Sequence, residues 1–385
     1  MSKSLEEIAQ KLHDADKKVQ LIYAFNGNGK TRLSRALKEL VAPKPDGDED
    51  AEPTRQKILY YNAHTEDLFY WDNDLLNDAE PRLVIQPNSF TDWILLEQGQ
   101  EPNITRNFQR YANDKLTPTF NEEYQRIGPD GSEATVKAFS EVTFSMETGD
   151  EGTGNLKISK GEESNFIWSI FYTLLEVVID VLSVPEPGDR DSDQFNNLSY
   201  VFIDDPVTSL DENHLIQLAV DLAALIKRAP EPLKFVITTH SPLFYNVLHN
   251  ELGSKACYLL GRLDDGTFEL VEKQGDSNQS FSYHLHLKKL LEQAIASNAI
   301  ERFHFTLLRN LYEKTASFLG YPRWSELLPD DKQSYFNRII QFTSHSTLSS
   351  EAISEPSPEE KQVVAFLLNH IKENYSYWQQ VEQNG

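Results

Sequence analysis

The sequence predicts an α/β fold, a parallel sheet with crossover helices, over residues 1–270, followed by a mostly α-helical domain over 271–385. Three observations predict it. Short apolar strands alternate with amphipathic helices as far as residue 272, as a parallel sheet requires. A glycine-rich turn, Asn26-Gly27-Asn28-Gly29, joins the first strand to the helix after it. Beyond Gly275 the apolar periodicity is helical, and no strand of comparable strength follows. At 385 residues the chain is long enough for two cores, since one core stops growing at roughly 250 to 300 residues.

Each element has its own signal. Ser4 caps a helix whose Leu5, Ile8 and Leu12 recur at helical spacing. Val19 to Ala24 reads as a strand, Lys30 to Val41 as a helix and Lys57 to Tyr61 as a second strand. Between them, 43–56 is an acidic Pro/Gly loop. Phe139 to Glu147 alternates apolar and polar like a half-buried strand, and Gly149 to Gly154 turns it back. Glu163 to Leu182 is a long helix, and its apolar part from Phe166 carries Glu176 and Asp180, which suits a buried core helix. Strands at Tyr200 to Ile203 and Lys234 to Thr238 flank a helix from Glu212 to Lys227, and Lys255 to Glu272 is hairpin-like. Helices follow at 285–297, 300–319, 330–342 and 357–375.

Composition narrows the function classes. No uninterrupted apolar run reaches the roughly 20 residues that cross a bilayer, and the N-terminus lacks a secretory pattern. Cys257 is the sole cysteine, so a disulfide framework and a cysteine zinc site are excluded. These features point to a cytoplasmic protein with no membrane partner. A net charge of −24 opposes non-specific nucleic-acid binding. The charge is uneven, however: residues 281–350 carry 8 basic against 6 acidic side chains and four of the ten histidines. Polyanionic RNA would sit best there.

Ala24-Phe25-Asn26-Gly27-Asn28-Gly29-Lys30-Thr31 fits a phosphate-binding loop in its required context, after a strand and opening a helix, with Ala24 where the pattern usually begins with Gly. Backbone N–H groups there can cradle phosphates at a helix N-terminus. Lys30 would reach the β- and γ-phosphates, and Thr31 would offer its hydroxyl to Mg²⁺. The strand Tyr200 to Ile203 ends in Asp204 and Asp205. Asp204 would hold Mg²⁺, and Asp205 would take a proton from the attacking water. Ser209-Leu210-Asp211 follows closely, and the strand from Phe235 ends at His240, placed to meet a γ-phosphate. Alone, the carboxylates read as a helix cap and His240 as a loop histidine; their order after a phosphate loop favours a nucleotide site.

Ile158-Ser159-Lys160-Gly161-Glu162 resembles the Leu-Ser-Gly-Gly-Gln signature of ABC ATPases, in the variant ending Gly-Glu of the chromosome-maintenance and RecF-like branch. In that superfamily the signature binds the γ-phosphate of ATP held by a second subunit. The resemblance therefore implies an ABC-type P-loop ATPase domain working as a homodimer or higher oligomer, and Ser209-Leu210-Asp211 then stands at the D-loop. The glutamine expected after the next strand is not obvious, with Asn62 the first candidate and Gln86 the second.

About 130 residues separate loop and signature, without sustained heptads, so the output is expected in residues 276–385. There the sequence resembles the bacterial anticodon nucleases of the PrrC kind, and the likeness runs through the whole chain. It includes Tyr60-Tyr61-Asn62-Ala63, Thr65-Glu66-Asp67-Leu68-Phe69-Tyr70-Trp71 and Gly275-Asp276-Ser277-Asn278. Leu307-Leu308-Arg309-Asn310-Leu311-Tyr312-Glu313-Lys314 and Phe342-Thr343-Ser344-His345-Ser346 complete it. The resemblance implies an ABC ATPase joined to a C-terminal helical ribonuclease that cuts tRNA, typically lysine tRNA, beside the wobble base. Its catalytic Arg-x-x-x-Glu and later His fall on Arg309, Glu313 and His345, and its substrate-recognition segment on Asp276 and Ser277. It further implies a toxin-like role in antiphage defence, dormant beside a type I restriction–modification enzyme. The cofactors implied are ATP, with GTP the alternative, and Mg²⁺ at the ATPase site, with none at the nuclease site.

The chemistry of the three residues is coherent. Arg309 and Glu313 are four apart on a helix and share a face. Metal-free RNA cleavage needs a base for the 2′-hydroxyl, an acid for the leaving 5′-oxygen and a cation for the phosphorane. Glu313 and His345 can divide the acid–base work, either way round, and Arg309 can stabilise the developing charge. Products would be a 2′,3′-cyclic phosphate and a 5′-hydroxyl. Spacing alone reads more plainly, as a surface salt bridge. Of the aromatics Tyr283, Phe303, Phe305, Tyr312 and Trp324, one is expected to stack an RNA base, while Phe303, Phe305 and Tyr312 fit a core. His284 and His286 lack partners at metal spacing and suit RNA contact or structure. Two rival readings are a RecF-like DNA-end sensor without nuclease activity and an ATPase whose C-terminal region only oligomerises. The acidic N-terminal half opposes the sensor.

Overall fold

Leu5, Ile8, Ala9 and Leu12 form the buried face of helix α1 (Leu5–Asp14) in the computed structural model of the chain. Ser4 Oγ accepts from the Glu7 amide at 3.2 Å, and the Glu7 carboxylate accepts from the Ser4 amide at 2.8 Å, which satisfies two donors at the helix start. The structure describes residues 2–43, 57–72, 81–127, 133–148, 151–153, 155–206, 210, 212–253, 255–263, 265–273, 283–343 and 356–375. They fall into two units, Met1–Ser277 and Asn278–Gly385.

In the first unit, β1 (Val19–Ala24), α2 (Lys30–Val41), β2 (Ile58–Tyr61), the short α3 (Ala63–Glu66), β3 (Phe69–Asp72), β4 (Arg82–Ile85), α4 (Ser89–Asp92) and α5 (Glu101–Tyr111) follow α1. Next come β5 (Leu116–Phe120), β6 (Tyr124–Ile127), β7 (Glu133–Val136), β8 (Glu141–Thr148), β9 (Glu151–Thr153) and α6 (Lys160–Leu182). Then β10 (Tyr200–Asp204), α7 (Glu212–Arg228), β11 (Lys234–Thr239), α8 (Pro242–Glu251), β12 (Ala256–Arg262) and β13 (Phe268–Lys273) close the unit.

The main sheet has the order β13-β12-β1-β11-β10-β2, parallel throughout except for the β12–β13 hairpin. Register aligns the carboxyl ends of its strands: Tyr23 lies beside Thr239, Thr238 beside Asp204, and Ile203 beside Tyr61. Every residue of β1 and β10 is buried, as expected of strands covered on both faces. Leu33 and Leu37 of α2 join the α1 stripe over Ile22, Phe202, Val236 and Tyr258.

A second sheet, antiparallel, has the order β3-β4-β8-β5 with β9 on β8, and β6 pairs with β7. It was not legible from sequence beyond the β8 stretch, because β3 and β4 are four residues each and too short for periodicity to register. Its Phe144 meets Trp71, Phe108 of α5 and Phe166 of α6 at ring-centroid distances of 6.0, 5.8 and 5.1 Å. Farther along α6, Trp168 and Phe171 both lie 5.1 Å from the Tyr61 ring of the main sheet. Helix α6 is thus held between two sheets, which explains why it is apolar nearly all round. It is long and apolar enough to cross a membrane, yet 83% of its most apolar 18-residue window is buried in the unit.

The second unit, as described, is helical: α9 (Tyr283–Ala296), α10 (Arg302–Leu319), α11 (Lys332–Thr343) and α12 (Pro358–Asn374). Leu291, Leu308, Leu311, Ile339, Val364 and Leu367 form its core. The buried Tyr312 hydroxyl donates to the Leu367 carbonyl at 2.9 Å, so its polar end is satisfied. Phe305 and Tyr312 are core residues as expected, but Phe303 is 52% exposed. Residues two positions apart on a helix point about 200° apart, so Phe303 and Phe305 cannot share a face.

Candidate functional site

The aligned strand ends put four sequence-predicted segments at one edge of the main sheet. Gly27 and Gly29 have φ of +83° and +85°, a region that costs an L side chain about 1–2 kcal/mol. Gly29 caps α2, and a Cβ there would lie 3.0 Å from the Phe268 ring. Gly29 therefore serves both the turn and a close approach of the β13 hairpin strand. Asn28 donates its side-chain amide to the Leu260 carbonyl at 3.2 Å, tying the loop to β12. Ala24, at the position where a glycine is usual, is fully buried as the last residue of β1.

Lys30 curls back into this loop. Its Nζ donates to the Asn26 side chain at 3.0 Å and to the Ala24 carbonyl at 3.3 Å, and it lies 3.3 Å from the Asp205 carboxylate. Thr31 Oγ1 donates to Asp204 at 2.6 Å, and Thr238 Oγ1 donates to the other Asp204 oxygen at 2.5 Å. Burial pushes the Asp204 carboxyl up, against the pull of those two hydroxyls. Asp205 has φ +54° and accepts from Thr239 Oγ1 and the His240 amide, each at 3.2 Å. Its second oxygen meets His240 Nδ1. Burial pushes Asp205 up too, but His240 and the Lys30 charge outweigh it and hold the carboxyl below its ordinary value.

Two hard oxygens, Thr31 Oγ1 and an Asp204 carboxylate oxygen, thus lie together with a buried negative charge that a cation would relieve. Hard divalent cations take such donors, and the amides at the start of α2 take anions. The residues present fit a nucleotide with Mg²⁺. Thr238 and Thr239 belong to this site although sequence reasoning assigned them no role. Their signal was a polar pair ending an apolar strand.

Asn62 and Gln86 part company. Asn62, 2% exposed after β2, donates to Ser34 Oγ at 3.2 Å, and Ser34 donates to the Thr31 carbonyl at 2.7 Å. Gln86 follows β4 in the antiparallel sheet and donates to the Asp67 carbonyl at 3.3 Å. The structure brings Asn62, and not Gln86, to the helix behind the loop. The segment Ser159 to Glu162 opens α6. Ser159 Oγ accepts from the Glu162 amide at 3.3 Å, and Glu162 accepts from the Ser159 amide at 2.8 Å. Lys160 pairs with Glu163 at 2.8 Å, whose other oxygen accepts from the Trp71 indole, also at 2.8 Å. Ser159 and Lys160 are exposed at this helix start, while Gly161 is half-buried. Ser209 and Asp211 lie outside the described residues, as do Asp276 and Ser277.

In the second unit, α10 carries Arg309 and Glu313 on one face. Arg309 Nε donates to Glu313 Oε1 at 2.7 Å, and both side chains are about one-third exposed, at 33% and 37%. Glu313 lines a cleft of about 680 Å³ together with residues of the 321–325 segment and the first turns of α11. His345 lies outside the described residues. His304 is a structural cap: its Nδ1 accepts from the Glu301 amide at 2.9 Å, and burial holds its pKa low. The backbone of His284 and His286 lies on α9.

Fold and site together define an α/β unit with a glycine-rich loop opening a helix, and a helical unit whose Arg309–Glu313 pair puts Glu313 at a cleft. No protein-family model matches the chain. A curated protein of Escherichia coli, "Anticodon nuclease", is 60% identical over 411 aligned positions, covering 100% of both chains. The chain belongs to the anticodon nuclease family. Among solved structures, it is similar to an Smc head domain with a coiled coil from Pyrococcus yayanosii: 14% identity, 52% of this chain, 30% of that chain and a TM-score of 0.29. An Smc head bound to the C-terminal winged-helix domain of ScpA gives 11%, 69%, 93% and 0.33, and the Smc head of Thermotoga maritima gives 13%, 67%, 91% and 0.29. Likenesses at these scores say nothing further about this chain.

Proposed function

We propose that this chain is an anticodon nuclease, a metal-independent endoribonuclease that cuts tRNA in the anticodon loop, with lysine tRNA the expected substrate, under the control of an ABC-type nucleotide site. The observation that carries it is the 60% identity to an anticodon nuclease over the full length of both chains. The 2.7 Å Arg309–Glu313 pair, with Glu313 lining a cleft, supports the chemistry. Arg309 would hold the scissile phosphate and stabilise charge building on it. Glu313 and His345 would move the two protons, one from the 2′-hydroxyl and one to the 5′-oxygen. Asp276 and Ser277 would recognise the tRNA.

At the nucleotide site, Asn26 to Thr31 would hold the phosphates of ATP or GTP, with Thr31 and Asp204 the protein ligands of Mg²⁺. Bound there, the metal would neutralise phosphate charge. Lys30, once turned to a phosphate, would leave Asp205 with one cation fewer and so a stronger base for water. Ser159 to Glu162 and Asp211 would complete the site of a second subunit, which makes the working form a homodimer or larger. Association with a type I restriction–modification enzyme is tested by co-purification with one; a cytoplasmic location accords with both partners.

The direct test incubates the full chain with total tRNA and nucleotide and maps the product ends. Cleavage in the anticodon loop, leaving a 2′,3′-cyclic phosphate and a 5′-hydroxyl, is the expected result. Intact tRNA at all nucleotide conditions, or products with 5′-phosphates, would overturn it.

A further inference from the structure

The cleft beside Glu313 extends well past the Arg309–Glu313 pair. Its walls include Glu313 from α10, Tyr321, Arg323 and Trp324 from the turn after it, and Lys332 and Phe336 from α11. Charge is the first clue. Glu313 is neutralised by Arg309 at 2.7 Å, whereas neither Arg323 nor Lys332 has an ion-pair partner among the described residues. The acidic neighbours Asp330 and Asp331 do not line the cleft. Two uncommitted cations thus face one cavity in a chain of net charge −24.

Shape and apolar lining are the second clue. Trp324 and Phe336 stack at 5.2 Å with an interplanar angle of 24°, making a flat aromatic wall. Trp324 also meets the buried Tyr312 edge-on at 6.3 Å, so the core fixes the wall in place. Tyr321 is 41% exposed. A volume of about 680 Å³ falls among the roughly 300–1,000 Å³ of sites for small organic ligands. Readers of single-stranded RNA combine these parts: cations for the backbone and aromatic faces for splayed bases.

We propose that this cleft is the seat of the nucleotide next to the cleaved bond, its phosphate held by Arg323 and Lys332 and its base by the aromatic wall of Tyr321, Trp324 and Phe336. The proposal rests on the reading of the chain as a tRNA nuclease and adds the substrate-positioning residues to it. Arg323 and Lys332 bind and align the strand; they take no part in proton transfer. Their loss therefore weakens RNA binding and raises KM, while kcat at saturating RNA changes little.

The test uses the full chain carrying His345→Ala and a fluorescein-labelled anticodon stem–loop RNA. Adding Arg323→Ala and Lys332→Ala is expected to raise Kd at least tenfold, since charge-assisted phosphate contacts are the strong ones. The slope of log K against log salt should fall by about 0.7, the value for the one phosphate the two cations hold. Lys314→Ala, removing an exposed cation of α10 that does not line the cleft, is expected to change Kd less than twofold. In the active chain, the Arg323→Ala, Lys332→Ala pair should raise KM by a similar factor. Unchanged Kd and salt slope in the pair, or an equal loss from Lys314→Ala, overturns the proposal. A wild-type chain that cuts no tRNA sinks the nuclease reading instead, and RNA binding then decides the cleft alone. Far-ultraviolet circular dichroism of each variant separates a lost contact from a lost fold.

Discussion

The proposed nucleotide site and the cleft at Glu313 are built on opposite principles. In the first, function is spread over aligned strand ends: Lys30 at the start of α2, Asp204 and Asp205 at the end of β10, and Thr238 and His240 at the end of β11 interlock by hydrogen bonds and an ion pair. Each polar group there is held by another, so the site is a packed part of the fold. In the second, Glu313, one helical turn from its partner Arg309, lines an open cleft whose two cations, Arg323 and Lys332, have no ion-pair partner among the described residues. A preformed network suits a site that must sense a small change, such as a γ-phosphate. An open cationic cleft suits a large, flexible polyanion. A mutation should therefore disturb both stability and ligand binding in the first unit, but activity far more than stability in the second.

The largest effect should come from Arg309→Ala. Removing a group that stabilises transition-state charge typically costs about 10²–10³ in kcat. The expected result in single-turnover tRNA cleavage is a loss of at least that size, with a melting temperature within a degree or two of wild type. A large drop in melting temperature would erase the contrast between the sites.

Lys30→Ala should abolish measurable ATP binding in a fluorescent-nucleotide titration while leaving RNA affinity unchanged. Asp204→Asn sharpens the point through its sign. Burial raises the Asp204 pKa above its ordinary 3.8, so the folded chain binds this proton more tightly than the unfolded chain. Stability from this group is present below about 3.8 and is lost as pH rises through the folded value. Near neutral pH the buried charge is a burden that asparagine removes. Asp204→Asn should raise the melting temperature without Mg²⁺ and eliminate any increase that Mg²⁺ with nucleotide gives the wild type. Asp205 has the opposite sign: its lowered pKa stabilises the fold above about 3.8, and that contribution is lost as pH falls through the folded value.

Smaller effects discriminate within the loop. Gly27→Ala meets no atom within 4 Å and should lose only the 1–2 kcal/mol of left-handed strain. Gly29→Ala carries the same strain and must also displace the Phe268 ring, so denaturant unfolding should rank it below Gly27→Ala. Ser159→Ala should cost about 1 kcal/mol through its capping box.

How much of this was legible in the sequence follows the same contrast. The phosphate loop, the Asp204-Asp205 strand end and the α6 start were readable because order and periodicity are local. The Thr238–Asp204 and Asn62–Ser34 bonds were not, since they join residues 34 and 28 positions apart in the chain, the first across neighbouring strands and the second between a strand end and a helix. The helices of the second unit were readable from their apolar stripes. Its cleft was not, because Arg323 and Lys332 meet only when a turn folds back on α10; nothing in their spacing marks them. The short strands β3 and β4 escaped because four residues carry almost no periodicity.

The central claim is that Arg309 and Glu313 do the cutting and the loop around Lys30 governs it. Its most direct measurement compares tRNA cleavage by wild type, Arg309→Ala and Lys30→Ala, each with and without ATP and Mg²⁺. Nucleotide is expected to change the wild-type cleavage rate. Arg309→Ala should bind nucleotide normally and leave tRNA intact, while the cleavage rate of Lys30→Ala should ignore nucleotide. Cleavage by Arg309→Ala at the wild-type rate, or a Lys30→Ala chain that still responds to ATP, would contradict it.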